Sequence, residues 1–258
     1  MELNLKGRRA LVTGAHRGTG QIIAQKLAAE GAEVYVQGPD EAALAETRAL
    51  IPTAKLAPGD IETDVGADAV AAACGDIDIL INNMGSAERG KWGALSMDQW
   101  IKQYEHNVLS GVRLIDRFSP HMQAQSFGRI IALGTVGTTA PNKVMPHYYA
   151  AKGALVTMMA SLAKALGGTG VTCNTVSPGL IATDEIKAAY TMRAKKRGEP
   201  DDWASVEPAV AKELGLATGH IPTREEVADL VVFLASSRAS AITGQSIRID
   251  GGMTGTVV

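Results

Sequence analysis

Short apolar runs alternate with segments whose apolar residues recur every three or four positions. The runs "RALVTG", "EVYVQG", "AKLAPGD", "IDILINNMG", "GRIIALGT", "VTCNTVSPG" and "GQSIRIDGG" read as strands, with "AKLAPGD" the weakest. Between them lie helical patterns. "GQIIAQKLAAEGA" places Ile22, Ile23, Leu27 and Ala28 on one face and ends at Gly31. "DEAALAETRALI", "DVGADAVAAAC", a long region from Met97 to Met122, "YYAAKGALVTMMASLAKAL" and "TREEVADLVVFLAS" complete the set. The last begins with Thr223 and Glu226 in capping-box spacing. Strands alternating with helices predict right-handed crossovers. The product is an α/β fold: a doubly wound parallel sheet of about seven strands with helices on both faces. Continuous apolar strands such as "DILINN" fit a sheet buried on both sides.

No composition shift divides the chain, so residues 1–258 are expected to form one domain. The least regular part, residues 184–219, is polar and helix-prone, and it leaves from a strand end. Ligands in such sheets bind beyond the carboxyl ends of the strands, so this insert is expected to act as a lid.

A formal net charge of -2 gives no electrostatic case for nucleic acid or an anionic membrane. The basic cluster Arg193 to Gly198 reads as a solvated helix face. Two distant cysteines, Cys74 and Cys173, show no disulfide or metal spacing and fit a reducing cytoplasm. The five histidines are scattered, so no metal site is expected. Among them His147 is at most a pocket-rim residue. The N-terminus lacks a signal-peptide pattern, and no apolar run approaches a membrane span.

Candidate chemistry begins at "TGAHRGTG", Thr13 to Gly20, between the first strand and the first helix. Gly14, Gly18 and Gly20 permit tight turning and close approach of backbone to ligand. Free N–H groups and the positive end of the helix dipole suit a pyrophosphate. The loop therefore points to a dinucleotide. An NAD site commonly places an acid at the end of the second strand. Gln37, Gly38 and Pro39 stand there instead, and Asp40 comes only after them. Arg17 can pair with a 2′-phosphate. NADP(H) is favoured, with NAD(H) as the alternative.

A second constellation is "HYYAAK", His147 to Lys152. Lys152 lies four residues after Tyr148 and three after Tyr149, and both spacings make helix neighbours. An ammonium nearby favours a phenolate and lowers a phenol pKa from its usual value near 10.

Together with these stretches, "NNMG" at Asn82 to Gly85, "HNV" with Asn107, "NTVSPGLIAT" at Asn174 to Thr183 and "ITGQSIRIDGG" resemble the short-chain dehydrogenase/reductase family. The type is compact, single-domain and Rossmann-like. The likeness runs nearly end to end and selects Tyr148, not Tyr149, as the residue of the family's Tyr-x-x-x-Lys pattern. It implies an oxidoreductase that moves a hydride between a nicotinamide and a carbonyl or carbinol carbon. Tyr148 would exchange the oxygen-bound proton, Lys152 would tune Tyr148 and bind the ribose, and Asn107 would support a water path. Thr135 stands where the family has a substrate-holding serine, and Gly134 stands where a second serine is common. Threonine keeps the hydroxyl, so activity is expected to survive; Thr138 and Thr139 are the rival hydroxyls. By the same resemblance, Gly14, His16, Arg17, Gly18, Thr19, Gly20 and Gly38 would contact the cofactor. Asp60 and Ile61 would meet the adenine, Asn83 and Gly85 the adenosine. Pro178, Gly179, Ile181 and Thr183 would hold the nicotinamide, with Thr183 bonding its carboxamide.

The substrate is expected to be a medium-sized, fairly apolar ketone or secondary alcohol, bound by residues 86–100, 135–146 and 184–219. A homotetramer, or a homodimer, is implied by the resemblance, and the apolar end "MTGTVV" would suit a subunit contact. Two other readings remain: a silent dinucleotide-binding sensor, and an epimerase or dehydratase on the same scaffold.

Overall fold

The computed structural model describes residues 2–255. Residues 256–258 of the apolar end lie outside the described residues. Seven parallel strands form one sheet in the order β3-β2-β1-β4-β5-β6-β7. They are β1 (Arg9–Val12), β2 (Glu33–Gly38), β3 (Lys55–Pro58), β4 (Ile79–Asn82), β5 (Gly128–Leu133), β6 (Val171–Pro178) and β7 (Ser246–Ile249). Strand β1 pairs with β2 and β4, so that Ala10 lies opposite both Val34 and Ile79. Strand order reverses between β1 and β4, which opens a crevice at their carboxyl ends.

Alternate residues of each strand feed different cores. Ala10, Val12, Val34, Val36 and Ile79 pack on one face with α1 (Gly18–Ala29) and α9 (Arg224–Ala235). Leu11, Tyr35, Leu80 and Ile130 pack on the other with α3 (Asp64–Cys74), α5 (Ser110–Ala124) and α6 (Pro146–Ala165). Burial on both faces explains the continuous apolar strands. Thr223 and Glu226 form the expected capping box at the start of α9.

Two helical expectations change. In the segment 40–51 only α2 (Ala45–Leu50) is helical. The Asp40 carboxylate accepts a hydrogen bond from Ala43 N at 2.8 Å and draws the preceding residues into a turn. The region from Met97 is not one helix either. It consists of α4 (Met97–Tyr104), a π-helical turn over Glu105–Leu109, and α5.

Within residues 184–219 lie α7 (Asp184–Lys196) and α8 (Trp203–Glu213). Ala194, Val206, Val210, Leu216 and Ile221 give the segment a small core of its own. The two ends of the segment meet where Ala182 N donates to Pro222 O at 2.9 Å. No helix among the described residues is long and apolar enough to cross a membrane.

Candidate active site

The glycine loop closes against the end of β4. Gly14 and Gly18 adopt φ of +60° and +62°, in the left-handed region that favours glycine. At Gly20 the constraint is space: a Cβ would stand 2.4 Å from Asn83 Nδ2 and 2.7 Å from Gly14 O. The Thr13 hydroxyl accepts from Asn83 N at 3.0 Å and Met84 N at 2.9 Å, while Asn83 Nδ2 donates to Thr13 O at 2.8 Å. Asn83 thus fixes the loop as well as lining it. Arg17 caps α1 without a side-chain hydrogen bond, which leaves the first-turn amides free for an anion.

This loop forms one wall of a cavity of about 480 Å³. Gly14, His16, Arg17, Gly18 and Thr19 line it, with Gly38 from β2, Asp60 and Ile61 from the β3 end, and Asn83 and Gly85 from the β4 end. A second cavity of about 170 Å³ shares Thr19, Asn83 and Gly85 with the first and adds Tyr148, Lys152, Pro178 and Ile181. The two form one groove across the crevice at the β1–β4 reversal.

Helix α6 carries Tyr148 and Lys152 to the inner end of this groove. Lys152 is 4% exposed and donates through Nζ to Leu133 O at 2.8 Å. Burial pushes its pKa down to about 8. Tyr148 does not show the expected lowering. Burial pushes its phenol up to about 12, opposed in part by a hydrogen bond from the Thr135 hydroxyl. The Lys152 ammonium is itself desolvated and engaged by a backbone carbonyl.

Asn107 lies in the π-helical turn and is buried. Such turns put an extra residue into a helix and commonly mark functional positions. Its Nδ2 donates to Ser86 O at 3.2 Å and Gln103 O at 3.0 Å, while Oδ1 is buried without a partner. Gly85 holds open the space between this acceptor and Lys152. A Cβ there would stand 2.8 Å from Asn107 Oδ1 and 3.0 Å from Lys152 Nζ.

The three threonines are not equivalent. Thr138 and Thr139 donate their hydroxyl protons to Thr135 O at 3.0 Å and Val136 O at 3.1 Å, closing a 3-10 turn. The Thr135 hydroxyl accepts from Gly137 N at 3.1 Å and keeps its proton for Tyr148. The structure also accounts for Gly134, where a Cβ would stand 2.7 Å from Thr175 Cγ2 and 2.8 Å from Ser177 Oγ. Tyr149 faces away from this site. Its hydroxyl accepts from Asn142 at 2.7 Å, and its ring covers Gly137.

The family model described as enoyl-(acyl-carrier-protein) reductase matches residues 14–254. The chain belongs to the short-chain dehydrogenase/reductase family. Among its relatives, the Bacillus subtilis oxidoreductase YvaG is 35% identical over 265 residues, covering 100% of both chains. The 3-oxoacyl-[acyl-carrier-protein] reductase FabG of Escherichia coli is 33% identical over 258 residues, covering 97% of this chain and 99% of its own. In structure the chain is similar to L-sorbose reductase from Gluconobacter frateurii, solved with NADPH and L-sorbose. The TM-score is 0.90 and the identity 29%, over 100% of both chains.

As in the sequence reading of this dehydrogenase/reductase, most candidate residues line the groove. Some sit differently. Ile61 lines the groove but is itself fully buried in the core. Gly20 shapes the loop from beneath rather than lining the cavity. Thr183 lines neither cavity, and its hydroxyl caps α7 by accepting from Ile186 N at 3.3 Å. Gly179 lines neither cavity and serves a close approach, since a Cβ would stand 2.9 Å from Asp250 Cβ. His147 is not a rim residue: it is buried edge-on against Trp100 at 6.0 Å, with both ring nitrogens unpartnered. Sequence reasoning also missed Gln37. It is buried, accepts from Gly14 N at 2.9 Å and donates to Gly59 O at 2.7 Å, tying the glycine loop to the β3 end. An uncharged polar residue in an otherwise apolar strand was the available signal. Also missed was the hydrogen bond between Glu62 and His106 on the cavity wall. Among the described residues no cluster of His, Cys, Asp and Glu could hold a metal.

Proposed function

We propose that the protein is an NADP(H)-dependent oxidoreductase interconverting a ketone and a secondary alcohol, with Tyr148 as general acid and base. The observation that carries the reading is the single groove joining the glycine loop and Arg17 at one end to Tyr148 and Lys152 at the other, with the Thr135 hydroxyl bonded to Tyr148. The residues fit a dinucleotide. Gly14 and Gly18 turn the loop that lines the cavity, the first-turn amides of α1 face it, and Arg17 supplies a guanidinium. The relative solved with NADPH and a ketose supports the choice of cofactor.

When bound, the nicotinamide supplies or accepts the hydride. The chain's own residues handle the oxygen and its proton. Thr135 donates to the substrate oxygen, and Tyr148 donates its phenolic proton as charge develops there. A phenol held at about 12 stays protonated near neutral pH, which suits donation during carbonyl reduction. Lys152 positions the ribose and, with Asn107 Oδ1 across the space kept by Gly85, supports a water through which Tyr148 is reprotonated.

The segment 184–219 acts as the lid, with its own small core moving as a unit. We place the protein in the cytoplasm, in keeping with two free, buried cysteines. A homotetramer or homodimer would cover the apolar side chains that α4 and the loop before it expose, Trp92, Met97 and Ile101. Light scattering tests this, and a monomer would refute it.

The functional test is NADPH and NADH oxidation against simple ketones, β-ketoacyl thioesters, ketoses and cyclic diketones. Turnover of at least one carbonyl with a lower KM for NADPH supports the reading. Cofactor binding with no turnover of any compound would favour a silent sensor.

A further inference from the structure

The glycine loop holds an imidazole next to its guanidinium. His16 and Arg17 are consecutive and both line the larger cavity, with Gly38 and Pro39 at the end of β2. His16 lies against that strand end, where its Cβ would be 3.4 Å from a Cβ built on Gly38. Its Nδ1 is sealed from solvent and has no hydrogen-bond partner. A buried ring nitrogen without a partner is uncommon in a folded protein and calls for a reason.

We infer that His16 is a proton-dependent determinant of cofactor choice: it takes up a proton as a 2′-phosphate binds beside Arg17, so that affinity for NADP(H), but not for NAD(H), falls as pH rises. This rests on the NADP(H) reading above and adds a regulation to it. The groups that face His16 are Arg17 on its own loop and Asp40 in the turn after β2. Asp60, Glu62 and His106 line the same cavity from the β3 end and the π-helical turn. Glu185, at the start of α7, reaches Arg17 electrostatically.

In the free protein, burial first and then Arg17 push the His16 imidazole below its ordinary value, with Asp40 opposing. The ring is therefore neutral at physiological pH. A 2′-phosphate dianion between Arg17 and His16 reverses the sign of the local field and favours the imidazolium. The sign follows from linkage. A group whose pKa rises on binding makes the complex tighter at low pH, and the gain is lost as pH climbs through the raised value. A ligand lacking the phosphate brings no such charge to the ring. Its affinity stays level.

Direct binding of 2′,5′-ADP and 5′-AMP, followed by isothermal titration calorimetry, tests this without turnover. For the wild type, the Kd of 2′,5′-ADP should rise by about fivefold between pH 6.5 and 8, as one site loses most of its proton. The Kd of 5′-AMP should change by less than about twofold over that range. At pH 7.5 the heat should depend on buffer ionisation enthalpy, reporting proton uptake. His16→Asn should abolish both the pH slope and the uptake, with an unchanged far-UV circular dichroism spectrum as the check on folding. His16→Lys should bind 2′,5′-ADP tightly and without pH dependence across the range. If wild type and His16→Asn show the same slope and the same uptake, the inference is overturned while the NADP(H) reading stands. If 2′,5′-ADP binds no tighter than 5′-AMP at any pH, the NADP(H) reading itself falls, and the inference with it.

Discussion

Replacing Lys152 by methionine should stabilise the protein while destroying its activity. The side chain is 4% exposed, and its single hydrogen-bond partner is Leu133 O at 2.8 Å. Burial lowers its pKa from 10.5 to about 8, and at about 1.4 kcal/mol per pH unit this corresponds to about 3 kcal/mol against the folded state at neutral pH. Methionine removes the charge and leaves Leu133 O without its donor, which costs about 1–2 kcal/mol. The net expectation at pH 7 is a gain of about 2 kcal/mol, or about 5 °C in Tm for a chain of this size. The pH dependence is the sharper criterion. A lysine with a lowered folded-state pKa costs stability fully below about 8, and the cost is relieved as pH rises toward 10.5, where the unfolded chain also loses its proton. The difference between mutant and wild type should therefore shrink by about 2 kcal/mol from pH 7 to pH 9.5. Urea unfolding of the cofactor-free proteins at both pH values measures it. A mutant less stable than wild type at pH 7, or a gap that does not change with pH, would refute the reasoning. Either result would mean that Lys152 is not held as a desolvated cation.

Three further outcomes are expected. Thr135→Val should lower kcat/KM by about 10²–10³ through loss of an oxygen-directed donor, whereas Thr138→Val should stay within about threefold, because its hydroxyl serves only the backbone; the reverse order would reassign the hydroxyl. Gln37→Ala orphans Gly14 N and Gly59 O and should cost about 2–4 kcal/mol in urea unfolding, and a loss below about 0.5 would show that the loop does not depend on it. Arg17→Ala should raise KM for NADPH by about 10–100-fold and change KM for NADH by less than about threefold; equal effects on both would remove its role at a 2′-phosphate.

The parallel sheet was legible because "DILINN" and "GRIIAL" carry unbroken apolar runs, Ile79 to Ile81 and Ile130 to Leu133, and the structure buries both strands on two faces. The choice of Tyr148 over Tyr149 came from resemblance, since both spacings are helix neighbours. The fold separates them: Tyr148 lines the groove and Tyr149 bonds Asn142. What the sequence could not carry were effects of three-dimensional closure. Gln37 occupies the place of a cofactor-reading acid, yet its side chain bridges two loops far apart in the chain. The π-helical turn at Asn107 leaves no trace in apolar periodicity, because one extra residue shifts the helical face without breaking it. The direction of the Tyr148 shift depends on how deeply both it and Lys152 are buried, a property of the packed site rather than of their spacing. The neighbours of Thr183 and His147 were hidden for a related reason. One meets the start of a helix and the other an aromatic ring, and neither neighbour is adjacent in a sequence motif.

The central claim is that one groove binds the dinucleotide and presents Tyr148 to a carbonyl oxygen. The most direct measurement pairs NADPH binding with turnover in Tyr148→Phe, using NADPH deuterated at nicotinamide C4 and a carbonyl that the wild type reduces. The account predicts deuterium on the product carbinol carbon for the wild type. For the variant it predicts NADPH affinity within about threefold and turnover lowered by about 10³ or more. Full turnover in Tyr148→Phe, or product without deuterium, would contradict it.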